Sequence, residues 1–165
     1  MYVNNDIVLR YEFFGGLLFN KFNLEKYELD HENTTFIWAL KKTKNKEASI
    51  KITKSVHKLN NFIPDLTSMV NEKIIINSND NYISDETLNN LTSEAVLLTE
   101  ASKKRNYLSA PLELTIYPSY HCQLNCKFCF INNKNNYKVK SFEKWITLIE
   151  EAKKNGCYDC IDIRW

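Results

Sequence analysis

The chain has 165 residues, 44% of them hydrophobic, which is enough for one sizeable domain or two small ones. Its formal net charge of +2 lacks the strong electrostatic footprint of a nucleic-acid-binding protein, and no apolar run approaches the ~20 residues of a membrane span. The first residues lack the basic-then-apolar order of a signal peptide, and five cysteines fit metal or redox chemistry better than a disulfide scaffold. We therefore predict a cytoplasmic protein that does not contact a membrane.

Two β-rich segments open the predicted fold. Ile7–Phe14 and Leu17–Phe22 flank the pair Gly15-Gly16, which predicts a hairpin whose turn lies at the glycines. The alternation of Leu24–Asp30 then predicts a third strand.

A helix is predicted after these strands, with Asn33 or Thr34 as its cap and Lys41–Lys46 as a solvated connection beyond it. The next segment, Ala48–Leu59, is ambiguous. Its β-branched residues lower helix propensity, although its apolar residues also recur at helical spacing.

A clearer amphipathic helix is predicted over Phe62–Val70, where Pro64 is tolerable only in the first turn. Ile74–Ile76 follows as a short strand. Ser84 can cap a further helix, whose apolar stripe is formed by Leu88, Leu91, Ala95 and Leu98. We interpret residues 79–110, which include this helix, as a linker between two domains.

Three cysteines, Cys122, Cys126 and Cys129, fall within eight consecutive residues in the spacing Cys-x3-Cys-x2-Cys. Thiolates this close on a loop can converge on one inorganic centre, and three of them leave one metal corner without a protein ligand. An alternative is a zinc site formed by two Cys-x2-Cys pairs, the second being Cys157 and Cys160, which would leave Cys122 unexplained. A further alternative is that the cysteines are small buried residues.

The elements around the cysteines follow the order strand, loop, helix, strand. Leu112–Tyr117 alternates as a strand before the loop. Ser141 can cap a helix that ends at Gly156, and its apolar positions are Phe142, Trp145, Ile146, Ile149 and Ala152. Cys160–Trp165 then alternates again, which predicts a βαβ unit.

The cysteine spacing, with Phe128 directly before the last cysteine, resembles the signature of the radical S-adenosylmethionine (SAM) enzymes. The resemblance implies a [4Fe-4S] cluster held by Cys122, Cys126 and Cys129, with SAM on the fourth iron and Phe128 beside its adenine. It also implies an electron donor such as flavodoxin or ferredoxin, and a β/α barrel whose first strand precedes the loop. The Gly-Gly-Glu-Pro-like segment of the family would begin near Trp165, so we expect a truncated barrel over residues 111–165 that is inactive alone.

Three strands followed by three helices within residues 1–78 resemble the PqqD-like winged-helix domain that recognises precursor peptides in many peptide-modifying radical SAM enzymes. The run Phe13–Asn20 adds to this likeness. The resemblance implies that a leader peptide adds itself to the edge of the third strand and packs against the third helix. The implied surface comprises Lys26, Tyr27, Glu28 and Leu29, with Phe62, Leu66 and Met69 nearby. For each apolar member, core packing is the alternative.

We therefore expect an α+β winged-helix-like N-terminal domain followed by the first βαβ unit of a truncated radical SAM barrel. We expect the chain to be a fragment of a radical SAM enzyme that modifies a ribosomally synthesised peptide. Such an enzyme is called a RiPP maturase. The alternatives are a zinc-stabilised binding module and a radical SAM enzyme with a small-molecule substrate. DNA binding is a minor alternative, because acidic residues dilute the lysines of Lys41–Lys58.

Overall fold

The computed structural model describes residues 1–111, 114–116 and 141–157. These residues form an α+β fold with two small sheets and five helices, so the predicted class is confirmed at this level. The strands are β1 (Tyr2–Val3), β2 (Ile7–Glu12), β3 (Gly15–Asn20), β4 (Lys26–Leu29) and β5 (Ile75–Ile76). The helices are α1 (His31–Thr43), α2 (Lys46–His57), α3 (Leu66–Asn71), α4 (Asp85–Lys103) and α5 (Phe142–Lys154).

The main sheet is antiparallel in the order β2-β3-β4 and contains the three predicted strands. The predicted position of the hairpin turn, at Gly15-Gly16, was wrong, however. Glu12 pairs with Gly15, so the turn consists of Phe13 and Phe14, and both glycines belong to β3.

Neighbouring residues leave no room for a side chain at Gly15 or Gly16. Gly15 has φ +138°, which favours glycine, and a Cβ there would overlap the carbonyl of Leu29. A Cβ on Gly16 would lie 2.5 Å from Thr34 Oγ1. The start of β3 can therefore lie directly against the end of β4 and the first turn of α1.

The second sheet pairs β1 with β5, with Val3 opposite Ile75. The short strand predicted over Ile74–Ile76 is confirmed as β5, whereas β1 was not predicted. Two residues are too few to show alternation, and the partner strand lies more than 70 positions along the chain.

The first helix begins earlier and ends later than predicted. Asp30 is its N-cap, because Asp30 Oδ1 accepts a hydrogen bond from the Asn33 N–H at 2.7 Å. The helix continues to Thr43, so the first half of the predicted connection is helical, and Lys44 ends it with φ 52°. The ambiguous segment Ala48–Leu59 is helical as far as His57, because α2 spans Lys46–His57.

The helix predicted over Phe62–Val70 is shorter, since α3 begins only at Leu66. Pro64 restricts the residue before it to extended conformations, so Phe62 and Ile63 do not join the helix. Asp65 caps α3 by accepting from the Ser68 N–H at 3.2 Å.

The residues Met1–Leu108 form one compact unit. Its main core joins the sheets to α1 and α3 and contains Val3, Ile7, Leu18, Phe36, Ile37, Leu40, Met69, Ile74 and Ile75. A second cluster packs α4 on α1 and α2 through Ala39, Ile52 and Ala95. The helix capped by Ser84, as predicted, is thus packed into this unit, although we interpreted its segment as a linker.

A second unit spans Ser109–Trp165. Its described helix, α5, follows Ser141 as predicted, and Gly156 (φ 84°) lies just beyond its end. The predicted strand Leu112–Tyr117 falls outside the described residues except for 114–116, and Cys160–Trp165 falls wholly outside them. None of the described helices has the length and apolar content needed to cross a membrane.

Candidate functional site

The predicted cluster ligands Cys122, Cys126 and Cys129, together with Phe128, lie outside the described residues. Of the other two cysteines, Cys157 is buried and follows α5, which ends at Lys154. Cys160 lies outside the described residues. Within residues 1–111, 114–116 and 141–157, no three His, Cys, Asp or Glu side chains are arranged to hold a metal ion. The predicted site that lies within the described residues is therefore the peptide surface on β4.

The strand β4 lies at an edge of the main sheet, paired with β3 and with no other strand among the described residues. The Asn20 N–H donates to the Glu25 carbonyl at 3.0 Å, and Leu18 and Gly16 continue the same row of β3. Because backbone groups alternate along an antiparallel strand, Tyr27 and Leu29 bond to β3. The N–H and C=O of Glu28 therefore point away from β3, toward the open edge.

The opposite edge of the sheet, on β2, is covered by two basic side chains. Lys41 Nζ donates to the Ile7 carbonyl at 2.9 Å, and Arg105 Nη2 donates to the Tyr11 carbonyl at 3.3 Å. Burial, with a smaller contribution from the charge of Lys21, lowers the pKa of Lys41. Among the described residues the two edges therefore differ, because side chains donate to carbonyls on β2, whereas no side chain bonds to the outward backbone groups of Glu28.

Alternation along β4 places its side chains on two different faces. Tyr27 and Leu29 are half-buried and pack against the main core, whereas Lys26 and Glu28 are exposed. The face of Tyr27 and Leu29 is the one that could offer apolar contacts beside the edge.

The α3 segment contributes the remaining predicted residues. Phe62 and Leu66 are half-buried against the same core, and the Phe62 ring lies 5.9 Å from that of Phe36. Met69 is only 6% exposed and is itself a core residue. The structure thus brings Tyr27, Leu29, Phe62, Leu66 and Met69 into one cluster, with Met69 beneath its surface.

A polar contact joins the end of α3 to β4. The Tyr27 hydroxyl lies 2.5 Å from Glu25 Oε2 and 2.9 Å from Glu72 Oε2. The hydrogen bond to Glu25, followed by burial and the bond to Glu72, raises the pKa of Tyr27. Sequence reasoning missed Glu25 and Glu72, because they are 47 positions apart and only the packing of α3 beside β4 brings them together.

Comparison with solved structures identifies the class of protein that this chain resembles, the radical SAM enzymes that modify ribosomally made peptides. The resemblance predicted from the sequence is therefore confirmed. No protein-family model and no curated protein matches the chain.

The similar solved structures include three of SuiB from Streptococcus suis. SuiB bound to its precursor peptide SuiA is 32% identical to the chain, with a TM-score of 0.55 over 94% of the chain. SuiB alone is 32% identical with a TM-score of 0.53, and SuiB bound to S-adenosylmethionine is 33% identical with a TM-score of 0.54. The chain spans about a third of the length of SuiB: 34% in the first structure and 33% in the other two.

Proposed function

We propose that the chain is part of a radical SAM enzyme that modifies a ribosomally synthesised peptide. In this proposal, residues 1–78 form a PqqD-like winged-helix domain that binds the leader of the precursor peptide. The observation that carries the proposal is the open edge of β4 beside an apolar cluster, in a chain similar to SuiB, which was solved with its precursor peptide.

The leader would bind by adding a strand to the sheet. An extended peptide beside β4 can exchange hydrogen bonds with the outward N–H and C=O of Glu28, and these bonds are independent of the peptide's sequence. Sequence preference would come from side chains that reach Tyr27, Leu29, Phe62 and Leu66. Lys26 would provide edge backbone on the same strand, and Met69 would support the surface from below.

The radical chemistry would belong to the second unit. Three thiolates in the spacing of Cys122, Cys126 and Cys129 suit a [4Fe-4S] cluster with one iron left for SAM, and Phe128 would lie beside the SAM adenine. When bound, the cluster and SAM supply a radical that abstracts a hydrogen atom from the substrate. The proposal further includes a flavodoxin or ferredoxin as electron donor, a cytoplasmic location, and a β/α barrel whose first βαβ unit lies in residues 111–165.

A proline at position 28 tests the peptide site. In Glu28→Pro the backbone donor at the open edge is lost, while the bonds of Tyr27 and Leu29 to β3 remain; proline is tolerated on edge strands. Glu28→Ala is the matched control, since it removes the same carboxylate and keeps the N–H. Random dodecapeptides displayed in a library are selected on the purified chain, and the affinities of the enriched peptides for both variants are measured by fluorescence anisotropy.

We expect enriched peptides to bind Glu28→Pro about fivefold more weakly than Glu28→Ala, because one backbone hydrogen bond contributes about 1 kcal/mol. Circular dichroism must show that both variants fold. Equal affinity of every enriched peptide for the two folded variants would overturn the assignment of β4 as the peptide site.

Replacement of single cysteines tests the cluster. We expect Cys122→Ala, Cys126→Ala or Cys129→Ala to abolish incorporation of a [4Fe-4S] cluster under anaerobic reconstitution, as measured by iron content and visible absorption. Cys157→Ala is the control and should keep the cluster. Bound zinc that depends on Cys157 and not on Cys122 would contradict the proposal and support the four-thiolate zinc site.

A further inference from the structure

The open edge of β4 is bordered by negative charge on the side of the apolar cluster. Glu25 directly precedes β4, and Glu72 is the C-cap of α3; both are exposed. Their carboxylates approach the Tyr27 hydroxyl from two different elements. Both carboxylates therefore lie beside Tyr27, a residue of the edge strand β4.

The Tyr27 hydroxyl can donate to only one of these two exposed carboxylates. A phenol has one proton, so it can donate to only one carboxylate at a time, and the shorter contact is the one to Glu25. Glu25 Oε2 also accepts from Asn23 Nδ2. Glu72 Oε2, at 2.9 Å from the same hydroxyl, then faces oxygen lone pairs, and because Glu72 is exposed its other donors are water or a bound cationic group.

Positive charge for this pair is not provided by the part of the chain that the structure describes. Within residues 1–111, 114–116 and 141–157, neither Glu25 nor Glu72 forms an ion pair with a lysine, arginine or histidine. The Lys26 side chain projects from the opposite face of β4 from Tyr27, and Lys73 follows Glu72 in a left-handed turn with φ 56°. The β4 edge, with which no other described strand pairs, and the acidic pair thus favour the same occupant.

We infer that the extended peptide segment bound at the β4 edge carries a lysine or arginine that is held between Glu25 and Glu72. The inference rests on the proposed function, because it assumes that a peptide pairs with β4. A primary ammonium offers three donors and a guanidinium five, so either can serve both carboxylates. The partner is therefore an extended segment with one basic side chain at a fixed position and apolar side chains on the same face.

The test uses the full chain and the displayed dodecapeptide library. Peptides enriched on the wild-type chain are first sorted by dependence on the edge, that is, by weaker binding to Glu28→Pro than to Glu28→Ala. The edge-dependent peptides are then measured against Glu25→Gln/Glu72→Gln, which keeps the acceptor oxygens and removes two charges. The double variant Glu86→Gln/Glu100→Gln removes two exposed charges from α4 and controls for net charge.

We expect edge-dependent peptides to share a lysine or arginine at one position, and to bind Glu25→Gln/Glu72→Gln about three- to tenfold more weakly than the wild type. The α4 control should bind like the wild type, and replacing the basic residue by norleucine should remove the difference between variants. Edge-dependent peptides without a fixed basic residue, or with equal affinity for both double variants, would overturn the inference while leaving the peptide site intact. Absence of any edge-dependent peptide would overturn both.

Discussion

The close contact between Gly16 and Thr34 predicts a specific cost for a single added methyl group. A Cβ on Gly16 would lie 2.5 Å from Thr34 Oγ1, 2.6 Å from its Cγ2 and 3.1 Å from its Cβ. Thr34 is fully buried and its hydroxyl donates to the Asp30 carbonyl at 2.6 Å, so it has no room to turn away. The Gly16→Ala substitution therefore overpacks the junction between β3 and α1.

The expected cost follows from two opposing effects. Overpacking in a well-packed core costs about 1–3 kcal/mol, whereas Gly→Ala restricts the unfolded chain and recovers about 0.4–1 kcal/mol. We expect Gly16→Ala to lower the free energy of unfolding by about 1–2 kcal/mol, and the melting temperature by about 5–10 °C. Urea and thermal unfolding of the full chain, followed by circular dichroism, measure both quantities.

A double-mutant cycle identifies the cause. Thr34→Ala removes the two atoms that lie nearest to the added methyl group and leaves only its Cβ. The cost of Gly16→Ala should therefore shrink by about 1 kcal/mol in the Thr34→Ala background, since residues in contact do not contribute additively. Strictly additive costs, or a Gly16→Ala chain as stable as the wild type, would refute the argument that Thr34 excludes a side chain at this position.

Two further predictions concern α1 and its surroundings. The His57 side chain is 4% exposed and its Nε2 lies 2.9 Å from Thr35 Oγ1; burial, opposed by the charge of Glu32, lowers the pKa of His57 below its ordinary 6.5. The unfolded chain then binds the His57 proton more readily than the folded chain. The free energy of unfolding should therefore be highest above pH 6.5 and fall below it. Urea unfolding of His57→Gln should show a weaker dependence of this free energy on pH. Asp30→Ala should cost about 0.5–2 kcal/mol by removing the cap on the Asn33 N–H, whereas Asp30→Asn, which keeps an acceptor, should cost less; a larger loss for Asn would exclude capping as the cause.

The sequence predicted elements well where many residues repeat one pattern. The long apolar stripe after Ser84 specified α4, and the two β-rich runs specified the hairpin of β2 and β3. The errors lie at boundaries, where contacts distant in sequence decide. Gly15 and Gly16 resemble turn residues, yet the fold needs them because β4 and Thr34 approach them closely.

The sequence indicated only those parts of the candidate peptide surface that a local pattern marks. Lys26–Leu29 alternates visibly, so β4 and its two faces could be expected from the sequence. The acidic pair could not, because no local pattern relates Glu25 to Glu72. The depth of Met69 was equally hidden, since an apolar residue on an amphipathic helix can lie in the core or at its margin.

The contrast between the two sheet edges connects the fold to the proposed function. An uncovered strand edge invites pairing with any extended chain, and proteins usually block such edges with charged side chains. Here Lys41 and Arg105 bond to carbonyls of the β2 edge, and both come from segments far along the chain. No comparable side-chain bond to the Glu28 backbone occurs among the described residues. Among the described residues, the sheet is thus covered by side chains along one edge and uncovered at the Glu28 backbone, so an extended peptide would have one edge and one adjoining apolar face to bind.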